Sequence, residues 1–394
     1  MRFPEFSGEW ERCKVKDFTK VVAGATPSTS NKEYWGGDIR WMNSGELNLK
    51  RVYEVQGRIT QLGYEKTSTK IIPPQSVLIG LAGQGKTRGT AAINYVELCT
   101  NQSIASILPS DKYYPEFLYQ NIESRYKELR DISSGDGGRG GLNLQMIYNL
   151  NIPYCSIGEQ RKIGDFLCLL DQRIETQRKI IEDLKKLKDA INNSLHNNIN
   201  EFQLFSFNEL GNDYLGLTGK SSDDFGSGLP YISYLNVFRN DIVTDGPFDC
   251  VKVSKTEKQN VVSYGDLLFT LSSETHSEVG IGAIYLGKTN PIYLNSFCFG
   301  VHLSNHENIY GPYLAYFVTS QYFRRTILPF AQGSTRYNLM KGDFMKHKFR
   351  FPAMAMQKEM YNALYTLSEK IRNEETCLNK YAKLKQYLLT QMFI

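Results

Sequence analysis

IGDFLCLLDQRIETQRKIIEDLKKLKDAINNSL, residues 163–195, spaces one set of side chains at alternating steps of four and three. The set is Ile163, Leu167, Leu170, Ile174, Gln177, Ile181, Leu184, Lys188, Ile191 and Leu195, and eight of the ten are apolar. That spacing lays a stripe along one face of an α-helix, the seam through which two helices pair. Adding 197 to each number gives Met360, Leu364, Leu367, Ile371, Glu374, Leu378, Tyr381, Lys385, Leu388 and Met392. Eight are again apolar, and the two polar interruptions fall at the same steps. Unrelated helices have no reason to share a seam together with its defects. The two helices are copies. Separated by a whole domain, they are expected to pair antiparallel and bury their seams. The polar steps, Gln177 with Lys188 and Glu374 with Lys385, then either set the register or face another subunit.

The chain around the helices repeats more loosely. LNIPYCSIGEQRKI (150–163) precedes one helix as FRFPAMAMQKEM (349–360) precedes the other. SSGDGGRGGLNL (133–144) answers AQGSTRYNLMKGDF (331–344), with Asn143 set over Asn338. YYPEFLYQNI matches IYGPYLAYFV, CTNQSIASIL matches YLNSFCFGVHL, and PPQSVLIGLAG matches SYGDLLFTLSS. Offsets drift only between about 190 and 197, as loop insertions would make them. Short Val-, Ile- and Tyr-rich runs broken by Gly and Asn read as strands, and residues 114–130 and 310–327 read as one helix in each copy. The expected fold is mixed α/β (α+β) with an internal pseudo-two-fold repeat: globular domain 1–157, long helix 158–196, globular domain 197–352, long helix 353–394.

Composition sets the class. At 394 residues the chain exceeds one ordinary core. A net charge of +5 permits a polyanion partner without demanding one. Seven scattered cysteines with no CxxC read as a reducing cytoplasm rather than a disulfide framework or zinc ribbon. MRFPEFSGEWERCKV has no apolar leader segment, and no run approaches eighteen apolar residues, so neither export nor membrane spanning is expected.

Three motifs point to chemistry and fail. GLAGQGKT (80–87) is a literal phosphate-loop pattern, which requires a helix immediately after it. RGTAAINYV follows instead and reads as a strand, and the repeated loop LSSETHSEVGIGAI carries no Gly-Lys-Thr. NIPY (151–154) resembles an adenine-methylation signature but lacks its first proline, and its repeat partner is RFPA. His302 and His306 stand four apart where the chain reads as a strand end, so they read as surface histidines, with no metal set around them.

Loop chemistry suited to nucleic acid remains. The first domain offers Gln84, Lys86, Thr87 and Arg88 in GQGKTRGT, and Arg139 with Asn143 in GDGGRGGLNL. The second offers Ser273, Thr275 and His276 in SSETHSE, and Gln332, Ser334, Thr335, Arg336 and Tyr337 in QGSTRYNL. Arginine and lysine fork onto guanine or grip phosphate, while Asn and Gln pair with adenine edges. The plain alternative is a set of solvated hairpins. Comparable loops recurring at equivalent positions with different side chains are what two recognition sites on one scaffold require. GATPSTSNKEYWGGDIRW (24–41) opens the first domain, and Gly24-x-Thr26 is echoed by Gly216-x-Thr218. Its middle, with Asn31, Lys32, Tyr34 and Trp35, reads as particular to the first domain; near it stand Arg40 and Asn43. Either these residues lie near DNA or the aromatics pack into the core.

In their order and duplication these motifs resemble the specificity subunit of type I restriction–modification systems. The opening stretch, the strand-loop-strand at 76–93, and GLNL/YNLM ahead of the Ile-Pro and Phe-Pro junctions carry the resemblance over essentially the whole chain. It implies a subunit without catalytic activity that reads a split target in double-stranded DNA and holds two modification subunits. Restriction subunits join that assembly. S-adenosylmethionine, ATP and magnesium belong on those partners, with no cofactor on this chain. GLTGKSSDDFGSGLPYISYLNV opens the second domain without the proline or the Trp pair, a departure that weakens contacts inferred there. A helix of about 38 residues spans roughly 57 Å, against about 34 Å for one DNA turn. The expectation is therefore two half-sites flanking an unread gap, in a bacterial or archaeal cytoplasm. A coiled-coil scaffold that binds no DNA and a phosphate-loop enzyme are the competing classes. Salt-dependent duplex binding and nucleotide binding separate them.

Overall fold

The computed structural model describes residues 2–83, 87–133, 141–199, 201–254, 256–304 and 306–393. The chain forms two compact units, 1–179 with 376–394, and 180–375. Each unit is a globular part plus one end of each long helix. The division cuts the helices because each helix end buries its seam in a different core.

The first unit carries β1 (Glu11–Lys14), β2 (Val21–Ala23), β3 (Trp35–Met42), β4 (Arg51–Val52), β5 (Arg58–Ile59), β6 (Val77–Gly80), β7 (Ala91–Asn94), β8 (Cys99–Thr100), β9 (Ile104–Ile107) and β10 (Asn151–Tyr154). Its helices are α1 (Gln61–Glu65), α2 (Pro115–Ser124), α3 (Tyr126–Ile132), α4 (Leu144–Tyr148) and the start of α5 (Ile157–Asn197). A five-stranded sheet runs β2-β9-β6-β7-β4, a three-stranded sheet runs β5-β3-β8, and β1 pairs with β10. Strands β6, β7 and β9 are buried along their whole length, because helices cover one face and loops the other.

The second unit carries β11 (Gln203–Ser206), β12 (Gly211–Leu215), β13 (Phe225–Ile232), β14 (Ile242–Val243), β15 (Asp249–Val251), β16 (Leu267–Thr270), β17 (Ser272–Ser273), β18 (Gly282–Tyr285), β19 (Tyr293–Leu294), β20 (Cys298–Leu303), β21 (Ala331–Gln332), β22 (Tyr337–Leu339) and β23 (Lys348–Phe351). Its helices are α6 (Phe207–Leu210), α7 (Tyr234–Arg239), α8 (Leu314–Phe317), α9 (Gln321–Ile327), α10 (Lys341–Lys346) and the start of α11 (Met354–Met392). The sheets run β12-β20-β16-β18-β14, β15-β13-β19 and β11-β23, strand for strand the order of the first unit. Direction is kept as well: β4 pairs parallel to β7 and β14 parallel to β18. A third small sheet, β17-β22-β21, completes this unit.

The single helix expected in each copy is two. In the first unit Arg125 separates α2 from α3, its guanidinium bound to Glu128 and to the Asn151 carbonyl. In the second, Ser320 breaks the run by donating to the Phe317 carbonyl while capping Phe323 N–H of α9. Serine's own hydrogen bonding competes with the helical ladder there.

The helices pair antiparallel, one half in each unit. Ile163 and Leu167 share the first core with Leu388 and Met392, flanked by Leu170. Ile191 and Leu195 pack on the second core with Met360 and Leu364. Ile174, Ile181 and Ile371 are each 7% exposed, while Leu184, Leu367, Leu378 and Tyr381 are half-buried. The polar steps turn inward. Lys385 reaches Glu123 Oε2 at 2.7 Å and Asp171 Oδ1 at 2.6 Å. Lys188, its counterpart, pairs with Asp241. Gln177 is 1% exposed.

The Gly-x-Thr echo has a steric cause. A Cβ on Gly24 would sit 1.8 Å from the Thr100 carbonyl oxygen, and one on Gly216 2.0 Å from that of Asn295. Either alanine substitution is expected to cost its unit about 1–3 kcal/mol or more, since backbone must move. Gly246→Ala, with nothing within 4 Å, is the control. Urea midpoints would check this, and equal midpoints for Gly24→Ala and the control would refute it.

Candidate nucleic-acid interface

In the second unit the candidate side chains gather. Strand β16 leads into an excursion (271–281) that contains β17 and returns as β18. Beside it stands the hairpin β21–β22, with Gln332 opposite Asn338 and Ser273 opposite Tyr337 across β17. Thr275, His276, Gln332, Ser334, Thr335 and Arg336 are exposed on these two loops, and Tyr337 is half-buried. The His276 ring meets Tyr337 edge-on at 5.1 Å. Ser273 is buried; its hydroxyl accepts from Thr275 N–H and donates to Glu278, so it shapes the loop.

Two further residues serve this surface that composition and spacing did not single out. Arg324 of α9 donates to the carbonyls of Ser277, Val279 and Gly280 at 2.7–2.8 Å, holding the excursion from beneath. Burial pulls its guanidinium down to about 10, still charged at neutral pH. Phe297, in the turn between β19 and β20, is 49% exposed and lies under the Arg336 guanidinium at 4.9 Å. Its only signal in the sequence is the alignment of Asn295-Ser-Phe with Asn101-Gln-Ser.

In the first unit Gln84, Lys86 and Arg139 lie outside the described residues. Those described mostly do structural work. Asn31 accepts from Glu33 N–H, Asn43 forms a capping box with Glu46, and Asn143 caps α4 by accepting from Met146 N–H. Arg40 forks onto Glu54, which Arg58 also reaches, and the Arg40 hydrogen bond holds that carboxyl down to about 2. Thr87 and Arg88 are half-buried, Tyr34 is half-buried, and Lys32 is exposed. Strand β6 is followed in the chain by its antiparallel partner β7, so the described residues after GLAGQGKT enter a strand and offer no helix N-terminus to a phosphate. His302 donates its Nδ1–H to the buried Asp266 carboxylate at 2.9 Å and stacks on Tyr214, so it is a sheet residue with one exposed edge.

Two alignments of the copies need correction. Leu142 N–H donates to the Leu81 carbonyl as Leu339 N–H does to Leu271. The equivalent of Leu142 is therefore Leu339, which moves Asn143 onto Met340 and off Asn338. The middle of the opening stretch also proves to be shared. Trp35 meets Trp41 edge-on at 5.0 Å, and Phe225 meets Tyr231 in the same way at 5.3 Å, 190 residues later. Both indole N–H groups are spent on local carbonyls, Trp35 on Ser28 and Trp41 on Ala25. The aromatic pair is scaffold in both units, conserved as a ring contact while the residue types changed.

Comparison with known proteins agrees with this architecture. Residues 7–186 and 218–382 match the family model described as type I restriction modification DNA specificity domain. The MjaIX specificity subunit of Methanocaldococcus jannaschii is 35% identical over 184 residues, 45% of this chain and 42% of that one. The HindI specificity subunit of Haemophilus influenzae is 28% identical over 177 residues, 43% of this chain and 38% of that one. The chain is thus matched to about two-fifths of the length of these curated relatives. Among solved structures, the type I restriction–modification S subunit from M. genitalium superposes with a TM-score of 0.59 at 15% identity, covering 98% of this chain and 96% of that one. With its two duplicated units accounted for by two stretches of one family model, the chain belongs to the type I restriction–modification DNA specificity family.

Proposed function

We propose that this chain is the sequence-specific DNA-recognition subunit of a type I restriction–modification complex. Residues 1–157 and 197–352 act as target-recognition domains, each reading one half-site of double-stranded DNA. The helices over 158–196 and 353–394 join them and leave an unread gap between the half-sites. Two modification subunits and the restriction subunits dock on this frame in a prokaryotic cytoplasm. S-adenosylmethionine, ATP and magnesium are held by those partners, and this chain performs no bond-making or bond-breaking step.

The observation that carries the reading is the duplication. Two units share one strand order, yet the loops at equivalent places carry unlike polar side chains. A scaffold kept constant under variable loops is what recognition of two different short sequences demands. In the first unit Lys86, Arg88 and Arg139 supply the basic candidates; in the second, Arg336 and His276 do.

Mapping methylated adenines across a genome with and without this chain is the test. A bipartite motif with a constant gap is expected. Arg88→Ala should relax the first half-site by about 1–3 kcal/mol if the contact is to a base, and flatten the salt dependence of binding for all sequences if it is to phosphate. A continuous motif from the full chain would refute the reading.

A further inference from the structure

We propose that Phe297 is a positioning residue for sequence readout: its ring holds the Arg336 guanidinium flat and ready to fork onto a guanine of the second half-site. The proposal rests on the second unit being a DNA-reading domain. The backbone of Arg336 is already fixed. It follows Gly333, whose φ of +143° and whose missing Cβ, 2.0 Å from the Arg336 carbonyl oxygen, let the hairpin close tightly. It precedes β22, which is bonded on both sides by β17 and β21. The long side chain is another matter. Among the described residues no carboxylate lies within ion-pair distance of it, whereas Arg40 in the first unit is spent on Glu54. What orders the guanidinium is the Phe297 ring, 4.9 Å away.

The fold does not need that ring. Phe297 sits in a turn where Asn295 Oδ1 accepts from Phe297 N–H at 2.9 Å and the Phe297 carbonyl accepts from Leu271 N–H at 2.8 Å. In the first unit Asn101 Oδ1 accepts from Ser103 N–H at 3.1 Å, and the Ser103 carbonyl accepts from Leu81 N–H at 2.8 Å. The turn is the same with a serine at the tip. A phenylalanine left half in water contributes little burial, and here it faces the guanidinium of Arg336 on the reading surface. An arginine over an aromatic face keeps its edge N–H groups free, and a planar, pre-ordered fork is what bidentate binding to guanine O6 and N7 uses. The first unit carries serine at this tip, so among the described residues the pairing of an arginine with this turn is found in the second unit.

The test co-expresses the full chain with its modification subunit and maps methylated motifs for Arg336→Ala, Phe297→Ser, Phe297→Leu and Phe297→Trp. The serine variant copies a tip that the first unit already folds. Arg336→Ala is expected to lose preference for guanine at one position of the second half-site by about 10- to 100-fold. Phe297→Ser and Phe297→Leu should relax that same position by about two- to fivefold, and Phe297→Trp should keep it. An unchanged motif for Arg336→Ala overturns the role of Arg336 as reader. Relaxation by Arg336→Ala without any by Phe297→Ser overturns the positioning role alone. So does relaxation at a different position, or full retention by leucine.

Discussion

Arg51→Ala is expected to lower the stability of the first unit by about 3–5 kcal/mol, the cost of leaving buried carboxylates without their cation. Arg51 enters from β4 and forks onto Glu116 of α2 at 2.7 and 3.1 Å, with a third bond to Asp171 of α5 at 3.0 Å. The side chains are 13%, 7% and 16% exposed, too enclosed for water to replace the arginine. Tyr95 also donates to Glu116, and Gln120 to Asp171. The second unit shows that this seat can be filled without charge: Ile242 stands in the place of Arg51, Pro312 in that of Glu116, and Ser368 in that of Asp171. Arg51→Ile combined with Glu116→Leu should therefore recover most of the loss, since well-packed apolar groups replace buried ion pairs at little cost. A urea series on the single and double variants measures the coupling; equal losses for both would refute the account.

The same seat predicts a response to acid. Burial by itself would push the Asp171 carboxyl up, but Lys385 and Arg51 beside it, with the Gln120 amide, hold it below the ordinary value. A carboxyl lowered on folding stabilises the fold above its unfolded value and loses that contribution as pH falls through the folded one. The loss attributable to Asp171 thus lies below about pH 4. Asp171→Asn should flatten the stability profile there.

A fragment ending near residue 200 is expected to form a stable dimer that reads a symmetric version of the first half-site. Alone it would expose the α5 seam, which α11 covers in the full chain. In a second copy the residues 197 positions earlier take over: Ile191 for Leu388, Leu195 for Met392 and Lys188 for Lys385. Lys188 would then meet Glu123 and Asp171, so both the apolar seam and the buried charge are satisfied. Lys188→Glu sets a carboxylate against those two and should reduce dimerisation by about 100-fold or more, several kcal/mol of uncompensated charge. Light scattering checks the mass, and methylation mapping checks the symmetry. A monodisperse monomer that kept DNA specificity would contradict the prediction.

Most of the fold was legible because its evidence is periodic. The heptad at 163–195 and its copy at 360–392 name the seam, and the antiparallel pairing follows from burying it. The β character of RGTAAINYV argues against a phosphate loop, and antiparallel β7 agrees. Side-chain employment was harder to read. Asn31, Asn43 and Asn143 have the chemistry of adenine readers but cap their own helical turns, because an amide at a turn finds a backbone N–H first. Trp35 reads as particular to the first unit because its counterpart is not a tryptophan; Phe225 keeps the ring contact with Tyr231 without the identity. Arg324 and Phe297 were silent because their partners are carbonyls and a cation from distant segments.

The sequence by itself determined the duplication, the two long helices and the position of the variable loops, since each is a pattern repeated along the chain at a fixed offset. Tertiary structure decided which polar groups are spent and which are free. A hydrogen bond or ion pair depends on distances between segments far apart in the chain. Hence Arg40 is neutralised by Glu54 while Arg336 is held over Phe297 with its fork exposed.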